Sequence, residues 1–322
     1  MSSESNRTVY VSLACDLGIA AAKFVVAGVT GSSAMLAEAI HSVVDSCNAV
    51  LLLWGKHASA RAADSEHPFG YGKELYFWTL MVAVLIFSIG GGMSIYEGIS
   101  HIVQGHRSTR QVWDYTVLAI AAVFEIMTVA VAARDFRRIE GKKAFWSAIR
   151  SSKDPTVFTV LLDNLAAVAG LAFAFLGIFL GDRFGLPYLD GIASILIGLT
   201  LAAVAVVLVR ESKGLLIGEG MDKQTLDRIR RLAESDQAVI RVAGPLTMYF
   251  GPESILLALD VEFENGLSAA EVTAAVDRLE KNIRTAYPRI KRIFIEAESL
   301  SKGQPESKLP FEPSRRIPLG RK

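Results

Sequence analysis

The sequence has few of the side chains on which soluble metal sites and disulfide frameworks depend. It contains two cysteines, Cys15 and Cys47, and no CxxC pair, which excludes a zinc finger, a thiolate cluster and a disulfide framework. None of its five histidines follows His106, so a histidine-rich metal site cannot form in the C-terminal part of the chain. No HExxH or nucleophile motif is present, and we expect no enzyme.

An excess of one charge is also missing. The 34 Lys and Arg residues nearly balance the 33 Asp and Glu residues, which leaves a formal net charge of +1 across 322 residues. This balance gives no basis for nucleic acid as a partner. The first residues, MSSESNRTVYVSL, lack the basic start and the small-residue cleavage site of a signal peptide.

Long apolar stretches, by contrast, are abundant. The chain is 51% hydrophobic with a mean hydropathy of +0.35. Residues 75–96 and 191–209 contain no charged side chain, and a bilayer span needs about 20 mostly apolar residues. Four weaker candidates are 9–30, 34–55, 113–133 and 156–180. The sequence therefore predicts an α-helical polytopic membrane protein with six transmembrane helices.

Basic residues cluster in only some of the connections between these spans. They are concentrated in 56–73 and 134–153, whereas the turn after the first span reads TGSS. The positive-inside rule places such basic loops in the cytoplasm. We therefore expect both termini to be cytoplasmic, in the inner or plasma membrane of a bacterium. A mitochondrial or vesicular membrane is the alternative for a eukaryotic source.

The character of the chain changes after the sixth span. Residues 221–234 have the spacing of an amphipathic helix, and 253–264 alternate apolar with polar residues as a half-buried strand does. Ser268 and Glu271 form a capping-box pattern that opens another helix. With strands near 240–249 and 292–298, the order is αββαβ. The predicted domains are 1–212 in the membrane, 213–300 as a small α+β domain, and 301–322 as a disordered Pro-rich tail.

The second span carries three groups that can bind a metal ion. His41 and Asp45 are four residues apart and share a helix face, and Glu38 lies one turn earlier. An ionised side chain at the bilayer centre costs roughly 2.5–3.5 kcal/mol, so such groups avoid lipid and commonly mark an ion or proton path. The alternative is a structural hydrogen bond between helices.

The fifth span supplies complementary groups. It begins with Asp154 as N-cap and Pro155 at the first helical position. Thr159 and Asp163 then share a face, and Asn164 lies about 100° round the helix. Two helices that each contribute oxygen or nitrogen ligands can close a roughly tetrahedral site.

Other charged residues also fall inside the predicted spans. Asp16 and Glu125 are candidates, with Glu38, for a proton path or an auxiliary role. Lys23 is two turns from Asp16 on the same face. Asp190 lies near a span end, where contact with water is expected.

The strings TGSSAMLAEAIHSVVD and ADSEHPFGYGKELYFW, an Asp-containing fifth span and a soluble αββαβ tail resemble the cation diffusion facilitator family. HPFGYGKELYFW and SIYEGI are most similar to the branch that contains human zinc transporter 9 and its bacterial relatives. The resemblance implies six transmembrane helices, a homodimer and a cytoplasmic ferredoxin-like dimerisation domain. It also implies a transport site at His41, Asp45 and Asp163, or Asn164 if the register slips by one.

Two positions depart from that family pattern. Zinc-selective members carry HxxxD in the fifth span, whereas this chain has Thr159 ahead of Asp163. Fewer imidazole ligands favour harder ions such as manganese. In the loop after the second span, Asp64 and His67 match part of a second metal site, but Tyr71 occupies its third place. The alternative is that this loop docks on the C-terminal domain.

These observations predict a transporter that exports cytosolic divalent metal in exchange for protons by alternating access. Zinc is favoured by the family, and manganese, iron, cobalt, nickel or cadmium are the alternatives. The metal is the transported substrate and no resident cofactor is expected. The expected partners are the metal cation, protons, the lipid bilayer and a second copy of the chain. A membrane metal sensor or scaffold without transport activity is the competing interpretation.

Overall fold

The structure is a computed structural model that describes residues 3–104, 112–141, 149 and 152–297, with only the backbone described at 3–16, 112 and 139–140. The predicted tail, 301–322, lies outside the described residues. The chain forms two compact units, Met1–Glu219 with Tyr249–Pro252, and Gly220–Met248 with Glu253–Lys322. The boundary expected after residue 212 falls inside the last helix of the first unit.

The first unit consists of long helices, and each of the six predicted spans falls within one helical segment. The segments are α1 Ser3–Thr30, α2 Ser33–Ser59, α3 Glu74–Leu85 continued through the π-helical turn Ile86–Gly91 into α4 Gly92–Gln104, α5 Val112–Glu140, α6 Pro155–Phe184 and α7 Tyr188–Ile217. Five segments in the described part of the chain are long and apolar enough to cross a membrane, and Leu17–Thr30 of α1 is a shorter apolar helix.

The starts of the two helices with candidate ligands are fixed by local capping. The Ser32 hydroxyl accepts a hydrogen bond from the backbone N–H of Met35 at 3.1 Å and so caps α2. The Asp154 carboxylate accepts one from the N–H of Thr156 at 3.0 Å, with Pro155 at the first helical position. The predicted start of α6 is therefore confirmed. Such caps satisfy N–H groups that have no partner within the helix.

Glycines allow α4 and α7 to approach closely. A Cβ atom at Gly98 would lie 2.5 Å from the carbonyl oxygen of Gly191, and one at Gly198 would lie 2.7 Å from that of Gly91. Both pairs are seven residues apart along antiparallel helices, so they form one contact line. Small residues permit such backbone contact where no hydrophobic effect drives helices together.

Helix α2 lies at the centre of the first unit, in contact with α1, α3, α4, α6 and α7. Its apolar residues, including Ala34, Met35 and Val44, belong to the main core cluster. On the face of α2 that meets these helices, the polar side chains of Glu38, His41 and Asn48 are buried. Helix α5, in contrast, is exposed along most of its length.

The second unit is a small α+β domain. Its elements are α8 Lys223–Ala233, β1 Val239–Val242, β3 Ser254–Phe263, α9 Ala269–Ala286 and β4 Ile290–Ala297, together with the start of β2 Leu246–Gly251, whose residues from Tyr249 onward belong to the first unit. In the sheet, β3 pairs antiparallel with β1 and parallel with β4, and β2 also neighbours β3. The capping box of Ser268 and Glu271 is confirmed.

One detail of the predicted αββαβ order is corrected. The single strand expected near 240–249 is two short strands, β1 and β2, so the order is αβββαβ. The break contains Gly244 and Pro245. Proline lacks the N–H that a ladder requires, and glycine weakens a strand, which explains the division. The predicted alternation along β3 is confirmed at Leu257, Leu259 and Val261, which are all buried, whereas Phe263 at the end of the strand is only half-buried.

Candidate metal site

Helices α2 and α6 bring three predicted ligands together. His41 and Asp45 lie on α2, Asp163 lies on α6, and each offers one ligand atom within 4.8 Å of the others. Among the described residues this is the only group of three or more His, Cys, Asp or Glu side chains that could hold a metal ion. The spacing of four residues between His41 and Asp45 puts both on the face of α2 that meets α6.

Four polar atoms of this group are buried without a hydrogen-bond partner among the described residues. Both ring nitrogens of His41, Oδ1 of Asp45 and Oδ1 of Asp163 have no hydrogen-bond partner within the described ranges. His41 Nδ1 lies 3.2 Å from Asp45 Oδ1, a close contact that does not have hydrogen-bond geometry. Leaving one buried polar group unsatisfied costs about 1–3 kcal/mol, so several such atoms close together are typical of a ligand-binding site.

Access to the group differs among its members. The side chain of His41 is 1% exposed, whereas that of Asp45 is 27% exposed. Asp163 is buried. Asp45 is therefore the most exposed member of the group, and His41 is the most buried.

The ligand atoms need only a small adjustment to bind one ion. A metal about 2.1 Å from each ligand atom requires every pair of those atoms to lie within about 4.2 Å. The observed limit of 4.8 Å therefore leaves a few tenths of an ångström for side-chain rotation to close. One imidazole nitrogen with carboxylate oxygens suits a divalent transition metal.

Asn48 is a member of this cluster that sequence reasoning missed. Its Nδ2 donates a hydrogen bond to Asp163 Oδ2 at 3.1 Å. Its Oδ1 is buried and, in the described part of the chain, has no hydrogen-bond partner. The sequence feature that could have predicted Asn48 is its spacing. It lies seven residues after His41 and three after Asp45, so it continues the same polar face of α2 by one more turn.

The two other fifth-span candidates occupy different positions. Thr159 is fully buried one turn before Asp163, and its hydroxyl has no hydrogen-bond partner among the residues described. Asn164 is half-buried. The three-ligand group includes Asp163.

The predicted auxiliary residues have different environments. Glu38 is buried one turn before His41 and pairs with Lys23. Glu125 is half-buried on α5, where its carboxylate accepts a hydrogen bond from the hydroxyl of Thr128 at 3.5 Å. The side chain of Asp16 lies outside the described residues.

In the loop after α2, the Asp64 carboxylate is engaged by its own loop. It accepts hydrogen bonds from the N–H of His67 at 2.8 Å and from the Tyr71 hydroxyl at 2.6 Å. The Tyr71 hydrogen bond lowers the pKa of Asp64, and the same bond raises the pKa of Tyr71. The His67 ring packs at 4.2 Å from that of Tyr71. In this arrangement Asp64 and His67 stabilise the turn, and the predicted loop metal site stays a prediction.

The loop also makes an aromatic contact. Phe69 stacks on Phe250 with ring centroids 5.0 Å apart, and a side chain at Gly72 would collide with the Phe250 carbonyl. Phe250 belongs to Tyr249–Pro252, which forms part of the same compact unit. Packing therefore accounts for the aromatic and glycine residues of this loop.

Asp190 has a different environment from the expected one. Water contact was expected near a span end, but Asp190 is buried. Its carboxylate accepts hydrogen bonds from the Ser32 hydroxyl at 2.8 Å and the Ser33 N–H at 2.6 Å. It holds the turn between α1 and α2, which the chain order alone did not reveal.

The long apolar helices define a polytopic helical membrane protein, and α2 and α6 bring together a cluster of side chains of the types that bind metal ions. Comparison with family models identifies the cation efflux transmembrane domain over residues 9–217. The chain belongs to the cation efflux family. The resemblance to the cation diffusion facilitators is thereby confirmed.

The chain is similar to curated proteins from distant organisms. It is 29% identical to metal tolerance protein C4 of Arabidopsis thaliana, over 92% of this chain and 74% of that protein. It is 32% identical to the mitochondrial proton-coupled zinc antiporter SLC30A9 of Xenopus laevis, over 73% of this chain but only 42% of that protein. It is 21% identical to the magnetosome protein MamB of Magnetospira, over 87% of this chain and 90% of that protein.

Proposed function

We propose that this protein transports a divalent transition-metal cation, with zinc as the first candidate, out of the cytosol in exchange for protons. The observation that carries the proposal is the buried group of His41, Asp45 and Asp163, whose ligand atoms lie within 4.8 Å of one another between two membrane helices. A carboxylate-rich cluster of this kind inside a membrane protein is costly unless it serves an ion.

The names of similar proteins support the same activity. The chain resembles a proton-coupled zinc antiporter and a metal tolerance protein. It spans only 42% of the antiporter's length, so that protein's activity supports a proposal for this chain and nothing more.

The proposed site accounts for coupling to protons. Metal binding requires a neutral imidazole at His41 and ionised carboxylates at Asp45 and Asp163, and protons compete for the same atoms. The ion enters past Asp45, which is the exposed member, and protonation of the emptied ligands resets the site. Alternating access then requires α2 and α6 to open first toward one face and then toward the other.

The identity of the metal depends on the remaining ligands. Thr159 and Asn48 each present a buried oxygen without a hydrogen-bond partner in the described structure. An oxygen-rich shell also suits manganese or iron, and cobalt, nickel and cadmium complete the set to be compared.

Location and assembly are part of the same proposal. The basic loops favour cytoplasmic termini in a bacterial inner or plasma membrane, while the similar antiporter is mitochondrial. We further propose a homodimer, with the second unit as its dimerisation domain.

The deciding experiment is metal uptake by proteoliposomes under an imposed pH gradient, tested with Zn, Mn, Fe, Co, Ni and Cd. We expect gradient-dependent uptake of one or two metals, lost in Asp45→Ala and retained in Cys47→Ala, which changes an exposed neighbour on the same helix. Binding without flux for every metal would instead establish the sensor or scaffold, and full uptake by Asp45→Ala would refute the site.

A further inference from the structure

A second charged cluster lies next to the proposed metal site. The Lys23 ammonium on α1 donates to Glu38 Oε2 at 3.1 Å and to the Ser42 hydroxyl at 2.8 Å. The side chains of Lys23 and Glu38 are 1% and 0% exposed. This pair is therefore a fully buried ion pair between two membrane helices.

Stability alone does not explain a buried ion pair. Removing two charges from water commonly costs more than their attraction returns, and well-packed apolar residues often replace such pairs without loss. Only one of the two Glu38 carboxylate oxygens, Oε2, accepts a hydrogen bond in the described structure. Its Oε1 has no hydrogen-bond partner among the described residues and lies against Gly170 of α6, where a Cβ atom would collide with it.

The pair lies within one helical turn of the proposed ligands. Glu38 precedes His41 by three residues, which is about 4.5 Å along the axis, and Ser42 directly follows His41. On α6, Gly170 lies seven residues, about 10.5 Å along the axis, beyond Asp163 in the direction away from Asp154. Glu38 is thus an additional carboxylate one helical turn from His41, on the side away from Asp45. The Lys23 ammonium is paired with this carboxylate.

The net charge of the proposed metal site together with the Lys23–Glu38 pair matches one divalent cation. The carboxylates of Glu38, Asp45 and Asp163 and the ammonium of Lys23 together carry two formal negative charges when His41 is neutral. One divalent cation balances that charge. Without Lys23 the same group would carry three, and a free carboxylate would adjoin the site.

We propose that Lys23 is a tethered cation that keeps Glu38 out of metal coordination and thereby sets the affinity of the site for a single divalent ion. This inference rests on the proposed function. By holding the net charge at two negative units, Lys23 keeps the ion bound weakly enough to be released when protons arrive. Lys23 is a positioning residue that acts through Glu38 and not a ligand.

The proposal predicts effects of opposite sign on zinc binding to the purified full-length protein, measured by calorimetry. Lys23→Met frees Glu38 and should tighten binding by about tenfold or add a second equivalent. Glu38→Gln leaves the ammonium uncompensated and should weaken binding by about tenfold. The double variant should return to within about threefold of the original affinity. Lys56→Met, which removes an exposed lysine of α2, is the matched control and should change nothing.

A pair that only stabilises the fold gives a different pattern. Both single variants would then lower the melting temperature and leave zinc affinity unchanged or reduce it together, and that result would overturn the proposal. If Lys23→Met does not fold, Glu38→Gln and the double variant still decide. Calorimetry reports the number of binding sites separately from the affinity, so a structural pair predicts fewer sites with unchanged affinity in Glu38→Gln, whereas the proposal predicts about tenfold weaker affinity that the double variant restores.

Asp45→Ala in the same binding assay separates the two proposals. If it loses zinc binding while the charge variants show no opposite effects, the metal site stands and the role of Lys23 falls. If it binds zinc as the unchanged protein does, the proposed site itself falls, and the role of Lys23 falls with it.

Discussion

Replacing Asn48 with alanine tests whether the polar face of α2 continues past Asp45. Asn48 is buried, and its Nδ2 donates to Asp163 Oδ2 at 3.1 Å. In Asn48→Ala that oxygen loses its donor and the carboxylate is no longer held toward α2. The Asn48 Oδ1, a candidate oxygen ligand, is removed by the same change.

The size of the effect follows from what Asn48 contacts. Groups that orient a ligating carboxylate typically contribute 10–100-fold to metal affinity. We therefore expect the dissociation constant for zinc to rise by about 10–100-fold, equivalent to about 1.4–2.7 kcal/mol. A direct ligand would give the upper end of this range, and a residue that only orients Asp163 would give the lower end.

Calorimetric zinc titration of the purified protein measures this directly, with uptake by proteoliposomes as a second readout. Cys47→Ala is the matched control because it changes the exposed neighbour of Asn48. An Asn48→Ala protein with unchanged zinc affinity and an unchanged melting temperature would refute the assignment. A lowered melting temperature with full affinity would reduce Asn48 to a structural hydrogen bond.

Three further predictions concern selectivity, helix packing and pH. Thr159→His should shift the metal preference toward zinc in the uptake assay, and an unchanged profile would show that Thr159 is not a ligand. Gly98→Ala should destabilise the protein in detergent by about 1–3 kcal/mol, because its Cβ atom would lie 2.5 Å from a backbone oxygen. Gly92→Ala, whose nearest atom would be 3.7 Å away, should not, and equal melting temperatures would contradict the packing argument. The hydrogen bonds from Arg278, at 2.8 Å, lower the pKa of Asp236. A lowered pKa adds stability above the ordinary Asp value of about 3.9 that is lost as pH falls through the folded value. Asp236→Asn should therefore lower the free energy of unfolding of the second unit by about 1 kcal/mol at pH 7, and by less near pH 3. The measurement is hydrogen exchange, which should become about fivefold faster at pH 7.

Much of the fold follows from local sequence signals. Uninterrupted apolar runs predict the spans, and Asp154 with Pro155 predicts the start of α6, because these signals act within one helix. The division between β1 and β2 was missed although Gly244 and Pro245 lie at the break. Two short apolar stretches on either side of a proline resemble one strand in the sequence. Because proline cannot donate to a ladder hydrogen bond, its position should have been taken as a strand boundary.

The site was predictable only where its residues share a helix. His41 and Asp45 follow from a spacing of four, and Asp163 from the same rule in α6. The Lys23–Glu38 pair depends on how α1 is rotated against α2, and the Asn48–Asp163 bond on how α2 is rotated against α6. Sequence periodicity fixes which residues share a face but not which faces meet. Asp190 was misjudged for the same reason.

The polarity of α2 itself points to the site. Of the five spans identified in the described chain, α2 is the least apolar and the most buried. These two properties belong together, because polar side chains at membrane depth are tolerated only where protein shields them from lipid. Along its length α2 presents Glu38, His41, Asp45 and Asn48 at helical spacing toward α1 and α6. A span that is weakly apolar yet central to the bundle is therefore where polar side chains are shielded from lipid, and that criterion selects α2 as the place for the proposed site before any ligand is considered.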